Sequence, residues 1–128
     1  MSIAGTYALV MYLPRAQTMR IGQLGTFHFP RGYYIYAGSA LNGLAARLAR
    51  HLRSDKRRFW HIDYFLEHAR IKQIWTHRGD ERLECVWARA ALALPRARIV
   101  APRFGASDCA CPTHLIYFGA RLPQFQVV

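Results

Sequence analysis

Acidic side chains are scarce in this chain: seven Asp and Glu stand against eighteen Lys and Arg, for a formal net charge of +11 and a pI near 10.5. The deficit favours a polyanionic partner, because basic side chains that neutralise phosphates release condensed counterions. A solvated basic surface, or attraction to anionic lipid, is the blander alternative. Cysteine is sparse as well: there are three, an odd number, and Cys109 and Cys111 are too close in sequence to bridge without strain. A disulfide scaffold is therefore excluded and a reducing cytoplasm expected, with nucleoid association when DNA is bound. No apolar run is long enough to span a bilayer, and the opening MSIAGTYALVMYLPR lacks the basic-then-apolar order of a signal peptide. Repeats, low-complexity tracts and linkers are missing too. With 128 residues the chain reads as one domain over 1–128, long enough to bury roughly two thirds of its unfolded surface.

What is present begins as β structure. Thr6 to Leu13, rich in β-branched and aromatic residues and stopped by Pro14, reads as a well-buried strand. Met19 to Gln23 and Thr26 to Phe29 form a hairpin pattern around Leu24-Gly25, and Pro30-Arg31-Gly32 signals a turn. In the strand that follows, Tyr34 and Tyr36 share a face, and Gly38 permits a sharp backbone turn after them. Asn42 can cap the next helix, whose Leu44, Leu48 and Leu52 recur every four residues. Arg47 and His51 share a helix face at the margin of that stripe, while Arg50 and Arg53 fall on the far side.

Ser54 to Arg58 is a basic loop. With Arg50 and Arg53, its Lys56, Arg57 and Arg58 are candidate contacts to a nucleic-acid backbone. Phe59 to Ala69 reads as a second helix, in which His61 and Asp63 do not share a face and are read as structural or capping. Ile71 to Thr76 reads as a strand ended by Arg78-Gly79-Asp80. Glu81 to Leu94 reads as a third helix with Leu83, Trp87, Ala91 and Leu94 on its buried stripe, Glu84 at the edge of that stripe and Cys85 opposite it. A loop from Phe104 to His114 leads into the last strand, Leu115 to Phe118. These elements predict an α+β domain, a small, mainly antiparallel sheet with helices packed on it.

Gly5-Thr6-Tyr7, Tyr36-Ala37-Gly38, Arg47 with His51, and Glu84 occur in the order seen in the GIY-YIG nuclease superfamily, and Gly-Ser-Ala after the second tripeptide resembles the start of that superfamily's central helix region. GQLGTFHFP, WHIDYFL, Glu84-Cys85 and FGASDCACPTHL resemble one uncharacterised branch of it, found alone or fused to endonuclease III-like repair glycosylases. Two positions depart from the name pattern, Thr6 and Ala37, where only strand backbone and a modest side chain are expected to matter. The inserted hairpin at Met19 to Phe29 is expected to shape a substrate groove, and the asparagine that some members carry after the glutamate has no counterpart, since the chain has only Asn42.

The resemblance implies a metal-dependent endonuclease acting on DNA, in repair or in processing of branched or damaged structures. Phosphodiester hydrolysis needs an activated water, compensation for phosphoryl charge and help for the departing oxygen. In that reading Glu84 holds one Mg²⁺ or Mn²⁺, and Arg47 donates a planar fork of hydrogen bonds to the phosphate. Tyr7 and Tyr36 orient or deprotonate the water. A phenol titrates near ~10, so Tyr7 is a base at neutral pH only if Arg47, the metal or another cation lowers it; His51 is the alternative base. A second reading keeps the scaffold and basic surface but makes the chain a non-catalytic nucleic-acid-binding module. A third is an interaction domain for an acidic protein.

Cys109-Ala110-Cys111 with His114 and Cys85 has the composition of a Cys₃His zinc site. The Cys-x-Cys spacing is tighter than the usual Cys-x₂-Cys and Cys85 lies opposite the buried stripe. The expectation is therefore reduced thiols packed under a loop, with His114 capping or lining the groove and zinc the lesser alternative.

Overall fold

The computed structural model describes residues 3–53, 57–107 and 109–121. Along the chain these are β1 (Gly5–Leu13), β2 (Gln17–Ile21), β3 (Gly25–Phe29), β4 (Gly32–Ala40), α1 (Leu44–Leu52), α2 (His61–Leu66), β5 (Arg70–Arg78), α3 (Glu84–Leu92) and β6 (Leu115–Gly119). Four strands make one sheet in the order β5-β1-β4-β6, and β2 with β3 make a separate hairpin. Every pairing is antiparallel. This is an α+β fold, as the pattern predicts.

The central strands are apolar along their whole length because both faces of the sheet are covered. Alternate residues of β1 and β4, among them Tyr7, Leu9, Met11, Tyr34 and Tyr36, pack against Leu44 of α1, Phe65 of α2 and Met19, Ile21 and Phe29 of the hairpin. Ala8, Val10, Ile35 and Ala37 point the other way, onto Trp87, Ala88 and Ala91 of α3. The period of two along a strand thus feeds two cores at once. The hairpin belongs to the first of these cores and does not line the main cleft, while its Arg20, Gly22 and Gln23 line a smaller depression of about 330 Å³.

α1 keeps its expected span but not its expected cap, and α2 and α3 are shorter than expected. α1 is preceded by Gly43 at φ 134°, a conformation that favours glycine, and Asn42 makes no cap. The Leu44 amide instead donates to the Ile3 carbonyl at 2.8 Å. Leu52 is exposed while His51 is buried. Each four-residue step overshoots a full turn by about 40°, so Leu52 drifts about 80° from Leu44 whereas His51 returns to within about 20° of it.

α2 is only six residues long, because Asp63 turns back to close its N-terminus. One carboxylate oxygen accepts the Phe59 and Trp60 amides, each at 2.8 Å. The Arg50 guanidinium donates to both oxygens, at 2.7 and 3.0 Å. Burial alone would raise this carboxyl's pKa, yet the bonds from Arg50, Trp60 and Phe59 hold it below the usual range. Arg50, itself partly exposed, is thus paired with the buried Asp63 carboxylate. Asp63 caps, as expected, and His61 is structural, its Nδ1 accepting the Gly105 amide at 2.8 Å.

α3 begins at Glu84, three residues later than expected. Its entry is tied by Thr6, whose buried hydroxyl donates to the Glu81 carbonyl at 3.4 Å and accepts the Leu83 amide at 3.3 Å. Thr6 therefore does more than supply strand backbone: it couples the first strand to the segment that presents Glu84. No helix among the described residues is long and apolar enough to cross a membrane.

Candidate functional site

A cleft of about 400 Å³ opens at the end of the sheet where β1 starts and β4 finishes. Tyr7, Tyr36, Arg47 and Glu84 line it, together with Gly38, Ser39, Asn42, Trp60, Arg82 and His114. Four of the five residues expected to carry the chemistry thus meet in one place from four elements. The fifth, His51, is buried behind Tyr7, and its Nε2 shares a 2.7 Å hydrogen bond with the Tyr7 hydroxyl.

β1 and β4 set this geometry through their register. Tyr7 is paired with Gly38, and Tyr36 lies two residues before Gly38 on the same face. Gly38 does not turn the chain, since β4 continues to Ala40. Its contribution is the side chain it lacks: a Cβ there would sit 2.5 Å from Cζ and Oη of Tyr7. Gly38→Ala should therefore expel the Tyr7 ring from its seat and break the bond to His51. A displacement of about 1 Å at a reacting group can cost ~10²-fold in rate. A crystal structure of the variant with the 2.7 Å contact intact would contradict this.

Ser39 connects the two sides of the sheet. Its carbonyl accepts a bond from Nη1 of Arg47 at 3.1 Å, and its hydroxyl donates to the Glu84 carboxylate. One residue thereby holds the cationic and anionic groups of the cleft in fixed relation. The Arg47 guanidinium also lies over the Trp60 ring, 4.3 Å from its centroid, a contact that restrains a long side chain. Ser39, Trp60 and Arg82 carry no catalytic pattern in the sequence. Arg82, two residues ahead of Glu84, gives the cleft a second arginine against a single carboxylate.

Burial dominates the titration of the cleft phenols. It pushes Tyr7 up to about 12, although the Arg47 charge and hydrogen bond pull the other way. Tyr36 is raised well above its ordinary value by burial and then by Tyr7. Arg47 therefore does not bring Tyr7 toward neutrality. Because the folded pKa exceeds the unfolded value near ~10, this contribution to stability is complete below pH ~10 and is lost as pH rises through about 12. The melting temperature should fall across that window, and Tyr7→Phe should flatten the fall; melting temperatures of wild type and Tyr7→Phe that fall in parallel would contradict it.

Of the outlying basic residues, Arg53, Arg57 and Arg58 are exposed, and Lys56 lies outside the described residues. Arg58 forms an ion pair with Glu67 at 3.3 Å.

Against one wall of the cleft stands a second group. Sγ of Cys85, Cys109 and Cys111 and a ring nitrogen of His114 all lie within 4.8 Å of one another, near enough to hold a metal ion. Cys85 Sγ is 3.2 Å from Cys109 Sγ and 3.4 Å from His114 Nε2, which is 3.5 Å from Cys109 Sγ. Tetrahedral zinc with Zn–S near ~2.3 Å requires ligand separations of about 3.8 Å. Cys85 is not directed away from the core as the wheel implies. α3 packs on the sheet and also on the loop before β6, so its buried arc is wider than one stripe. The loop is braced by Arg103, whose guanidinium donates to the Cys111 and Cys109 carbonyls at 2.6 and 2.5 Å. Burial and the adjoining Cys111 and Cys109 thiols raise the Cys85 pKa, so the group is ill-suited to hold several thiolates without a cation. The three thiols are free and packed under the loop as expected, and with His114 they are also near enough together to hold a metal ion, as the zinc alternative requires.

Fold and cleft together define an α+β domain with a two-arginine, one-carboxylate cleft beside a Cys₃His group near enough together to hold a metal ion. The chain belongs to the family described as Domain of unknown function DUF123, whose model matches residues 6–127. No curated protein and no solved structure matches it.

Proposed function

We propose that this protein is a metal-dependent endonuclease of the GIY-YIG type that hydrolyses phosphodiester bonds in DNA. The observation that carries the reading is the meeting of Tyr7, Tyr36, Arg47 and Glu84 in one cleft, with His51 bonded to Tyr7. Chemistry at a phosphate explains why an arginine, a carboxylate and two phenols should share a site.

Arg47, held by Ser39 and Trp60, offers its planar fork to a phosphate oxygen, and Arg82 adds a second positive charge at the rim. His51 is the residue placed to take a proton through Tyr7: the phenol resists ionisation on its own, and its hydroxyl is already bonded to Nε2. Tyr36 orients the attacking water. Glu84, with the Ser39 hydroxyl beside it, supplies the hard oxygen donors that suit Mg²⁺ or Mn²⁺, and the open cleft leaves room for retained waters. Such an ion, when bound, supplies compensation for charge on the departing oxygen. The Cys₃His group suits zinc in a structural role, since all four positions are filled by protein ligands.

The test is incubation with plasmid, branched, nicked and single-stranded DNA, with Mg²⁺ or Mn²⁺ and without added metal. Cleavage that depends on the added ion is expected. Salt-sensitive binding without cleavage of any substrate would favour the second reading, a binding module on the same scaffold, and absence of binding at low salt would favour an acidic protein partner.

A further inference from the structure

Phe59 is the most exposed of the large hydrophobic side chains described, at 75%, and nothing in the proposed phosphate chemistry accounts for it. Its position is not that of a stray surface residue. The backbone is anchored, the Phe59 amide donating to buried Asp63 at 2.8 Å. The ring is braced edge-on against Trp60, centroids 5.2 Å apart and planes at 70°. Trp60 lines the cleft that holds Arg47. Arg57 and Arg58, which precede it in the chain, are exposed. Arg58 lines a second, smaller depression of about 330 Å³ with Arg20, Gly22, Gln23 and Tyr64. An aromatic ring therefore stands on a fixed backbone, its chain neighbours Arg58 and Trp60 lining two arginine-bearing depressions, one of them the candidate site.

Resting on the nuclease reading above, we propose that Phe59 is a stacking platform for an unpaired base next to the scissile phosphate, so that the preferred substrate is single-stranded, frayed or branched DNA rather than intact duplex. The occupant is argued from complementarity. An apolar face flanked by arginines matches a nucleotide, whose base is a flat π-surface and whose phosphates are anionic. In an intact duplex each base face is covered by its neighbours, so the ring finds nothing to stack on, whereas the arginines contact the backbone of either form. Stacking of one base on an aromatic side chain is sequence-tolerant.

The experiment measures binding rather than cleavage, and so separates this inference from the reading it rests on. Fluorescence anisotropy with a single-stranded oligonucleotide and a duplex of the same length, at low salt and without added Mg²⁺ or Mn²⁺, compares wild type, Phe59→Ala and Phe59→Trp. Phe59→Ala is expected to weaken single-strand binding by roughly 5- to 150-fold, to change duplex binding less than about twofold, and to keep the wild-type circular dichroism and melting temperature. Phe59→Trp restores the single-strand affinity. Equal losses on both DNA forms overturn the proposal, as does no loss on either, the pattern expected if the ring serves a protein partner. Wild-type protein that binds neither form at low salt overturns the nuclease reading and this inference together; either of the other two failures removes the base platform alone.

Discussion

Arg47→Ala and Glu84→Gln are each expected to lower Mg²⁺- or Mn²⁺-dependent DNA cleavage by at least ~10²-fold, the scale on which removing one charge-stabilising group from an enzyme site is felt. Neither change should unfold the protein. Arg47 is only partly buried on the face of α1 and Glu84 lies at the first turn of α3, so circular dichroism and melting temperature should stay near wild type. The conservative Arg47→Lys sharpens the test. It keeps the charge but loses the planar fork that reaches Ser39 and a phosphate together, and a comparable loss is expected from it. Ser39→Ala should lower cleavage less, because it removes only the hydroxyl that steadies Glu84. Measured rates on the most readily cut DNA substrate, at saturating metal, check all four. Wild-type cleavage by Arg47→Ala or Glu84→Gln would remove the endonuclease assignment.

Loss of the zinc proposed for the Cys₃His group should have the largest effect on stability. Protein purified without a histidine tag is expected to carry about one zinc per chain, and Cys109→Ser or a strong chelator should release it. Structural zinc contributes ~10–16 kcal/mol of apparent binding energy in small zinc-dependent peptides. Only part of that is expected here, because the domain already has two apolar clusters, one on each face of the sheet. A loss of even ~3 kcal/mol lowers the melting temperature of a domain this size by roughly 10 °C. Cleavage should fall with it. Cys85 directly follows Glu84, and His114 lines both the metal group and the cleft, so loosening the ligands loosens the carboxylate. Protein that carries no zinc as purified, and whose melting temperature added zinc does not raise, would exclude the site.

How much of this was readable from the chain depends on which residues had to meet. The run from Thr6 to Leu13 announces a buried strand because its apolar residues are continuous, and the structure covers both of its faces. The alternation of Tyr34 and Tyr36 places them on one face, where they are found. Leu52 misled because a four-residue repeat drifts around a helix over two turns, and His51, which the pattern leaves at the margin, took the buried place. Asp63 was legible as a cap, but its pairing with Arg50 was not, since thirteen positions separate them and nothing local couples the two. Arg50 consequently looked like one more surface arginine. Cys85 looked turned away because a single stripe was assumed for a helix that packs on both a sheet and a loop.

The sequence by itself determined the positive charge, the α+β pattern, the faces of the strands and the order of Tyr7, Tyr36, Arg47, His51 and Glu84 along the chain. Composition and side-chain period suffice for those, because each describes one element relative to its own axis. Only the tertiary structure decided that Gly38 makes room for the Tyr7 ring, that Ser39 joins Arg47 to Glu84 across the end of the sheet, and that Cys85 meets Cys109, Cys111 and His114. Those are relations between separate elements, and the packing that brings them together is a sum over the two buried faces of the sheet rather than a property of any one segment.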